Sequence, residues 1–501
     1  MLEVKNLDII ISTRYVIRNL SFTLQKGDKL AVIGEEGNGK STLLKAIMGL
    51  CDYGLINGTI DTKRNTVGYL EQYIRGEECD KDVYDFLFTS EDDYYKKVSS
   101  LYKWLNKFGL SQDILNQKIS TLSGGEKVKV GIMRLLLEDA DILLLDEPTN
   151  DLDIETLEWL EGFINYIDKP ILYVSHDEAL LEKTANMILH LEQLDEKTAC
   201  KHTLLKVGYK EYTAKRIAQY DKQMQIANSE KKAYDKKRNK LLKVMQEVEY
   251  EQRTISRGDP HGAALLKKKM HALKSQERRL EKTELTEKPE MEESIRLIFD
   301  KISLPRNKAI LKLCEQDLRI ENKVLASNIN LEIFGPTHVC IVGKNGVGKT
   351  TLMKKIYEVL KYRDDIRVGY MPQTYEDILN DYENALDFVA SKNKDSITKA
   401  RLFMGSMNFT RDEMVGRIDA LSDGTKAKLF LIKLVLEGYD VLLLDEPTRN
   451  LSPLSAPVVR NILKNYGGAI ISISHDRKYI EEVADITYVL KSDGLTEYKL
   501  W

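Results

Sequence analysis

Apolar and polar residues alternate through the opening stretch LEVKNLDIII, the mark of a strand with one buried face. Further along, alternation gives way to unbroken apolar runs of strand length. LAVIG leads into a glycine-rich segment and then helical spacing, ILLLD ends on acids, and ILYVS stops at a histidine. Runs of this length, closed by turn residues or charges, fit strands buried on both faces of a parallel sheet. The longest, ADILLLD and GGAIISIS, fall far short of the ~20 residues that cross a bilayer, so no membrane span is expected.

The same succession occurs twice. LAVIGEEGNGKSTLLKAI, from Leu30, returns as VCIVGKNGVGKTTLMKKI, from Val339, about 309 residues on. Each copy is followed by GYLEQ or GYMPQ, LSGGEKVKV or LSDGTKAKL, ILLLDEPTN or VLLLDEPTR, and YVSHD or SISHD. That order predicts a duplicated α/β domain, residues 1–205 and 305–501, with an insert at 206–304.

Within the insert the apolar period becomes seven. Tyr220, Ala227, Tyr234, Leu241 and Val248 define one seam, with Ile217, Met224 and Met245 beside it, and Leu266, Met270, Leu273 and Leu280 define another. The pattern predicts a long antiparallel α-helical hairpin, its first helix from Ala214 to about Tyr250 reaching ~55 Å. Gly258, Pro260 and Gly262 break the helical pattern and place the tip at about 251–264.

At 501 residues the chain exceeds the roughly 250 to 300 over which one core keeps growing, in keeping with several domains. Its net charge of −3 gives no global attraction for nucleic acid. Between Ala214 and Leu285, however, 19 Lys and Arg face 10 Asp and Glu. Most charge runs are solvated helix faces; here length, hairpin geometry and sign favour an anionic partner, and Arg253, Arg257, His261, Lys267, Lys268 and Lys269 are expected to meet RNA phosphates rather than read bases. Five scattered cysteines without a C-x-x-C pair point to neither disulfides nor a zinc knuckle, and fit a reducing compartment. No export signal is visible at the start, and a cytoplasmic location is expected.

Both glycine-rich segments fit G-x-x-x-x-G-K-[ST], Gly34 to Ser41 and Gly343 to Thr350, in the strand-to-helix context that wraps backbone N–H groups around phosphate. Lys40 and Lys349 then reach the β and γ phosphates, and Ser41 and Thr350 hold Mg²⁺. Asp146 and Asp445, delivered at strand ends, fit the Mg²⁺-organising role, and Glu147 and Glu446 are placed to polarise an attacking water. His176 and His475, each in S-H-D, are expected to contact the γ phosphate.

Phosphate loop, strand-end Gln (Gln72, Gln373), LSGGE, D-E-P and S-H-D, in that order and twice, resemble the ATP-binding cassette superfamily over about 400 residues. Tandem cassettes with no membrane span and a long charged insert resemble its subfamily F, whose members act on ribosomes. The resemblance implies an ATPase holding two ATPs with Mg²⁺, head to tail between cassettes. Gly34, Gly37, Asn38, Gly39, Lys40, Ser41 and Thr42 would hold one ATP, with Gln72 and Asp146 at the metal. Gly343, Asn345, Gly346, Gly348, Lys349, Thr350 and Thr351 would hold the other, with Gln373 and Asp445. Ser123, Gly124, Gly125 and Glu126 would close over the nucleotide at Lys349, and Ser422 and Gly424 over that at Lys40. It further implies a monomer whose partner is the 70S ribosome. There the hairpin enters the tRNA exit site, touches peptidyl-site tRNA and large-subunit RNA, and protects the peptidyl-transferase centre from lincosamides, pleuromutilins and streptogramins A.

Two departures stand out. Asp423 and Thr425 replace a glycine and the glutamate of the second signature, so the Lys40 site is expected to bind ATP but contribute less turnover. TRNLSPLS follows the second acidic pair, with Ser452 where Asp153 would correspond, either as in resistance members of subfamily F or by drift in a degenerate half. Tyr15 is placed either to stack on adenine or to pack in the core. The rival readings are a housekeeping translation factor, a drug exporter's ATPase, which would lack its span and has no use for a basic hairpin, and a DNA-repair ATPase, whose coiled coil usually interrupts a single cassette. No DNA partner is expected.

Overall fold

In the computed structural model the strand before each phosphate loop lies inside a six-stranded sheet, and the two sheets share one topology. The structure describes residues 1–498 apart from 12, 73, 75, 89–90, 151, 195–198, 255–259, 282–303, 321–322, 391–393 and 408. The first sheet runs Val67–Leu70, Ile142–Asp146, Ile171–Val174, Lys29–Ile33, Met187–Leu194, Ala199–Leu205. The second runs Val368–Met371, Val441–Asp445, Ala469–Ile473, His338–Val342, Ile486–Lys491, Gly494–Tyr498. In each, all neighbours are parallel except the last pair. The unbroken apolar runs are the central strands: every residue of Ile142–Asp146 and Val441–Asp445 is buried. The fold is α/β, two tandem P-loop cassettes.

The alternating opening pairs antiparallel as Leu2–Ile11, with Arg14–Leu24 on one side and Gly54–Asp61 on the other. Among the described residues the second cassette has the pair Ala309–Ile320 and Lys323–Phe334 in its antiparallel sheet. The third strand sits where the first copy is longer, since the offset between copies falls from 309 at Gly34 and Gly343 to 301 at Gln72 and Gln373. Leu7, Ile9, Ile17 and Leu20 of this sheet pack with Leu30, Val32, Leu43 and Leu44, which fixes the phosphate-loop helix Lys40–Met48 against the central strands.

Residues 210–292 form a unit of their own. Its helices are Tyr209–Thr254, 46 residues or ~69 Å, and Pro260–Glu281, 22 residues or ~33 Å. Along the first, Tyr220, Met224, Ala227, Tyr234, Leu241, Met245 and Val248 are among the shielded positions, as the seven-residue period implies, with Tyr212 and Val244 shielded as well, whereas Ile217 is 56% exposed and off the seam. The helices extend further towards the turn than the sequence suggests. Pro260 opens the second helix, where its missing N–H costs nothing, so the residue read as a breaker is a helix start. Arg253 therefore lies in a last helical turn and His261 in a first, and Lys267, Lys268 and Lys269 on a helix, all exposed; Arg257 lies outside the described residues. Among the described residues, no helix is long and apolar enough to cross a membrane.

Candidate active sites

The two phosphate loops have one backbone shape. Gly34, Gly37 and Gly39 have φ of 147°, 79° and 89°, and Gly343, Gly346 and Gly348 have 155°, 78° and 104°. At Gly34 and Gly343 a Cβ would come within 2.3 Å of Leu191 O and 2.6 Å of Leu490 O, so only glycine lets the loop cross its neighbouring strand. Lys40 Nζ donates to the Gly34 and Glu35 carbonyls at 2.9 and 3.0 Å, and Lys349 Nζ to those of Gly343 and Lys344 at the same distances. Ser41, Thr42, Thr350 and Thr351 lie in the first turns of the following helices.

Glu147 and Glu446 follow the strands that carry Asp146 and Asp445, and both take left-handed φ, 48° and 56°. A non-glycine residue held there stores local strain, as is common where a side chain must be aimed. The carboxylates then differ. Glu147 accepts from Gln72 Nε2 and Asn150 Nδ2, both at 2.8 Å, and lies 3.2 Å from His176 Nε2. Burial raises its carboxyl, but His176, Lys40 and Asn150 outweigh this and hold it at about 2. Asp146 is likewise engaged, by Ser41 Oγ at 2.9 Å and Tyr69 OH at 3.0 Å. In the second cassette, among the described residues, neither carboxylate oxygen of buried Asp445 has a hydrogen-bond partner, nor does His475 Nδ1. Among the described residues Glu446 accepts only the His475 backbone N–H, at 3.2 Å, and burial, with Asp445 beside it, pushes its carboxyl up to about 8. Burial and Lys349 take His475 down to about 4.

These unsatisfied groups face a cavity of about 530 Å³. Asn345, Gly346, Gly348, Lys349, Thr350, Thr351, Gln373, Asp445, Glu446 and His475 line it from the second cassette; Gly124, Asn150 and His176 line it from the first. Gly124 thus stands over the phosphate loop of the other half. Ser123 and Glu126 form the capping box that starts the helix Gly124–Leu137, and Gly125 sits against Thr156, within 2.7 Å of where a Cβ would be.

Around Lys40 the halves meet directly. Glu36 Oε2 accepts the Gly424 backbone N–H at 2.6 Å. Glu35 takes Lys428 Nζ at 2.8 Å, Ser452 Oγ at 2.5 Å and Ser455 Oγ. Burial raises the Glu35 carboxyl, yet Lys428 and the two hydroxyls hold it at about 2. The Leu451 carbonyl pairs with His176 Nδ1 at 2.8 Å. Ser422 caps the helix Asp423–Glu437, and the Asp423 side chain is 62% exposed, beside Lys426.

Glu35, Glu36, Lys428 and Ser455 were not singled out by the motif, which leaves its x positions free. Comparing the loops exposes two of them: Glu35 and Glu36 stand where the second loop has Lys344 and Asn345. Asn38 is the equivalent of Val347, not of Asn345; it is 2% exposed and its amide donates to Leu191 O, tying the loop to its own cassette. Tyr15 is 38% exposed with Arg18 over its ring, which removes the core reading.

Two P-loop cassettes with a signature glycine of one over the phosphate loop of the other define a tandem-cassette ATPase. The ABC transporter family profile matches residues 17–150 and 326–449, and the chain belongs to that family, as an ATP-binding ATPase of the F type. It is 24% identical to ABC transporter F family member 5 of Arabidopsis thaliana, over 96% of this chain and 74% of that one. It is 28% identical to the ribosome protection protein VmlR of Bacillus subtilis, over 98% and 86%. The archaeal ribosome recycling factor aABCE1, solved with the stalk protein aP1, shares the fold with a TM-score of 0.60 at 18% identity, over 98% of this chain and 90% of that one.

Proposed function

We propose that the protein binds the 70S ribosome with two ATPs held between its cassettes, inserts the basic hairpin at the tRNA exit site, and leaves on hydrolysis. The observation that carries this reading is the cavity shared by Lys349, Asp445, Glu446 and Gly124, in a chain whose hairpin bears an exposed basic row at Lys267 to Lys269. Asp445, with two unpartnered buried oxygens, Thr350 and Gln373 make a hard oxygen donor set that fits Mg²⁺. When bound, that ion neutralises charge on the β and γ phosphates. Ser41, Gln72 and Asp146 are the corresponding set in the first cassette.

Within the second site Lys349 and the loop N–H groups grip the phosphates, Gly124 and Ser123 close from the opposite half, and His475 meets the γ phosphate. Glu446 orients the attacking water and takes its proton, a task suited to a carboxylate with few donors around it. The Lys40 site binds ATP and turns it over less, because its carboxylate is already held by two amide donors with His176 beside it, and its closing signature has lost a glycine.

Arg253, Arg257, His261 and Lys267 to Lys269 contact peptidyl-site tRNA and large-subunit RNA, and the outcome is protection of the peptidyl-transferase centre from lincosamides, pleuromutilins and streptogramins A. A relative bears the name ribosome protection protein, VmlR. The decisive experiment is co-sedimentation of the Glu147→Gln, Glu446→Gln double variant with 70S particles in ATP. Retention is expected; a variant that sediments free at low salt overturns the reading. One observation favours a second reading, a housekeeping factor for stalled ribosomes. Only residues 255–259 join the helices, leaving little chain to reach a drug pocket. Inhibitory concentrations in a susceptible host expressing the gene separate the two.

A further inference from the structure

Away from the phosphate loops, four side chains at equivalent positions of the two cassettes pair in a crossed pattern. An offset of 299 matches Glu161 with Arg460 and Glu178 with Arg477. Arg460 holds Glu178 through Nη1 to Oε1 at 2.8 Å and Nη2 to Oε2 at 3.2 Å, and Arg477 Nη2 lies 2.5 Å from Glu161 Oε1. Each ion pair is the pseudo-two-fold image of the other, with both acids on the first cassette and both bases on the second. Glu161, Glu178 and Arg460 are buried, and the Arg477 side chain is 15% exposed.

The arginines also reach the S-H-D loops. Arg477 Nη2 is 3.2 Å from Asp177 Oδ1, and Arg460 Nη1 is 3.8 Å from Asp476 Oδ2. His176 and His475 are the residues just before those aspartates. Contacts therefore link the loop bearing one histidine to the loop bearing the other.

Stability does not account for the arrangement. Burial pushes the Glu178 carboxyl up to about 7 despite Arg460, so keeping it ionised there costs free energy. Buried pairs of this kind are often matched by apolar residues, while loss of one partner strands a charge. The crossed pattern does provide selection. Two first cassettes face to face would gather four carboxylates, and two second cassettes four guanidiniums, whereas first with second sets each acid beside an arginine; within their own cassettes Glu161 also takes Lys183 Nζ and Arg460 Nε also donates to Glu482, each at 2.9 Å.

We propose that Glu161, Glu178, Arg460 and Arg477 are positioning residues for ATP hydrolysis, a crossed double ion pair that fixes the two S-H-D loops against each other so that both sites switch together. The proposal rests on His176 and His475 acting as γ-phosphate contacts.

The test is steady-state ATPase of the full chain with Glu178→Arg, Arg460→Glu, their combination and Arg477→Gln, each checked for a cooperative melt. Each single reversal is expected to lower kcat about 10-fold or more with KM for ATP within about 2-fold, and the combination to recover at least about 3-fold over either single, short of wild type because Glu482 and Asp476 still face the new acid. A folded double reversal as slow as the singles overturns the proposal, as does Arg477→Gln with wild-type kcat. If the single reversals fail to fold, Arg477→Gln, which introduces no new charge, decides through kcat. His475→Ala reports on the underlying reading separately: full turnover there removes the histidine's role, and leaves the charge pairing to stand or fall on rescue.

Discussion

Glu36 of the first phosphate loop accepts the backbone N–H of Gly424, in the other cassette, at 2.6 Å. A signature N–H of this kind is what a γ phosphate would take in the reading above, and here a carboxylate of the protein holds it. With ATP in that site, the carboxylate would also set negative charge beside the polyphosphate. The second loop has neutral Asn345 in its place. Glu36→Asn is therefore expected to tighten ATP at the Lys40 site about 5- to 10-fold, as removal of roughly 1 kcal/mol of like-charge repulsion allows. Fluorescent-nucleotide titration in a Lys349→Ala background measures it, and unchanged affinity removes the competing role from Glu36.

The two glutamates after the strands should not be equal. Glu446 borders an open cavity with one backbone donor, whereas Glu147 is engaged by Gln72, Asn150 and His176. Loss of a positioned base commonly costs 10²- to 10⁴-fold, so Glu446→Gln should lower turnover by at least about 100-fold and Glu147→Gln by less than about 5-fold. Single-variant kcat values decide it, and the reverse order would assign hydrolysis to the Lys40 site.

How much of this could be read beforehand depended on what each pattern constrains. The central strands were legible because ILLLD and VLLLD admit no solvent face, and the strand-to-helix glycine motif has one geometry, recovered twice with matching φ values. Pro260 misled because the same missing N–H that breaks a helix interior suits a helix start. Glu35 and Glu36 sit at positions the motif leaves open. The crossed charges are visible on comparing residues 299 apart, but nothing in one dimension says that Glu161 meets Arg477 rather than Arg460.

The hairpin's basic row should behave as a phosphate binder. Replacing Lys267, Lys268 and Lys269 by alanine removes three cations, so the slope of log affinity for ribosomes against log salt should become shallower by about 2 to 3. ATPase activity without ribosomes should be unchanged. A slope equal to wild type would mean that these exposed lysines only solvate their helix.

The Glu178 carboxyl lies at about 7 in the folded chain against 4.5 in its ordinary state, so folding takes up a proton between those values. Its contribution to stability is therefore greatest below about pH 4.5 and declines as pH rises through 7, where the buried carboxylate must ionise. Arg460, Asp476 and Glu482 face it from the second cassette, with Lys478 nearby. The melting temperature of Glu178→Gln minus that of wild type should become more positive from pH 5.5 to pH 8. A difference that is flat in pH would show that Glu178 stays ionised throughout.

Ser452 stands where the first cassette has Asp153, and the structure supplies a reason for the change. Asp153 caps its own helix by accepting the Thr156 N–H and hydroxyl at 3.0 and 2.7 Å. In the second cassette Glu35 reaches across the interface, and the hydroxyls of Ser452 and Ser455 donate to it, so the carboxylate comes from the partner cassette instead. Across the other site the charges are reversed: Lys344 of the phosphate loop lies 2.9 Å from Glu155. Ser452→Asp alone would press two carboxylates together in a buried place, with only Lys428 to share, and is expected to destabilise the chain by about 2 kcal/mol or more. Combining it with Glu35→Lys, which copies the charge pattern of the other loop, should recover more than half of that loss, because the new cation faces the new acid. Denaturant unfolding of wild type, the Ser452→Asp and Glu35→Lys single variants and the double variant measures each step; strict additivity would mean that Ser452 and Glu35 do not communicate, and that the altered loop is drift after all.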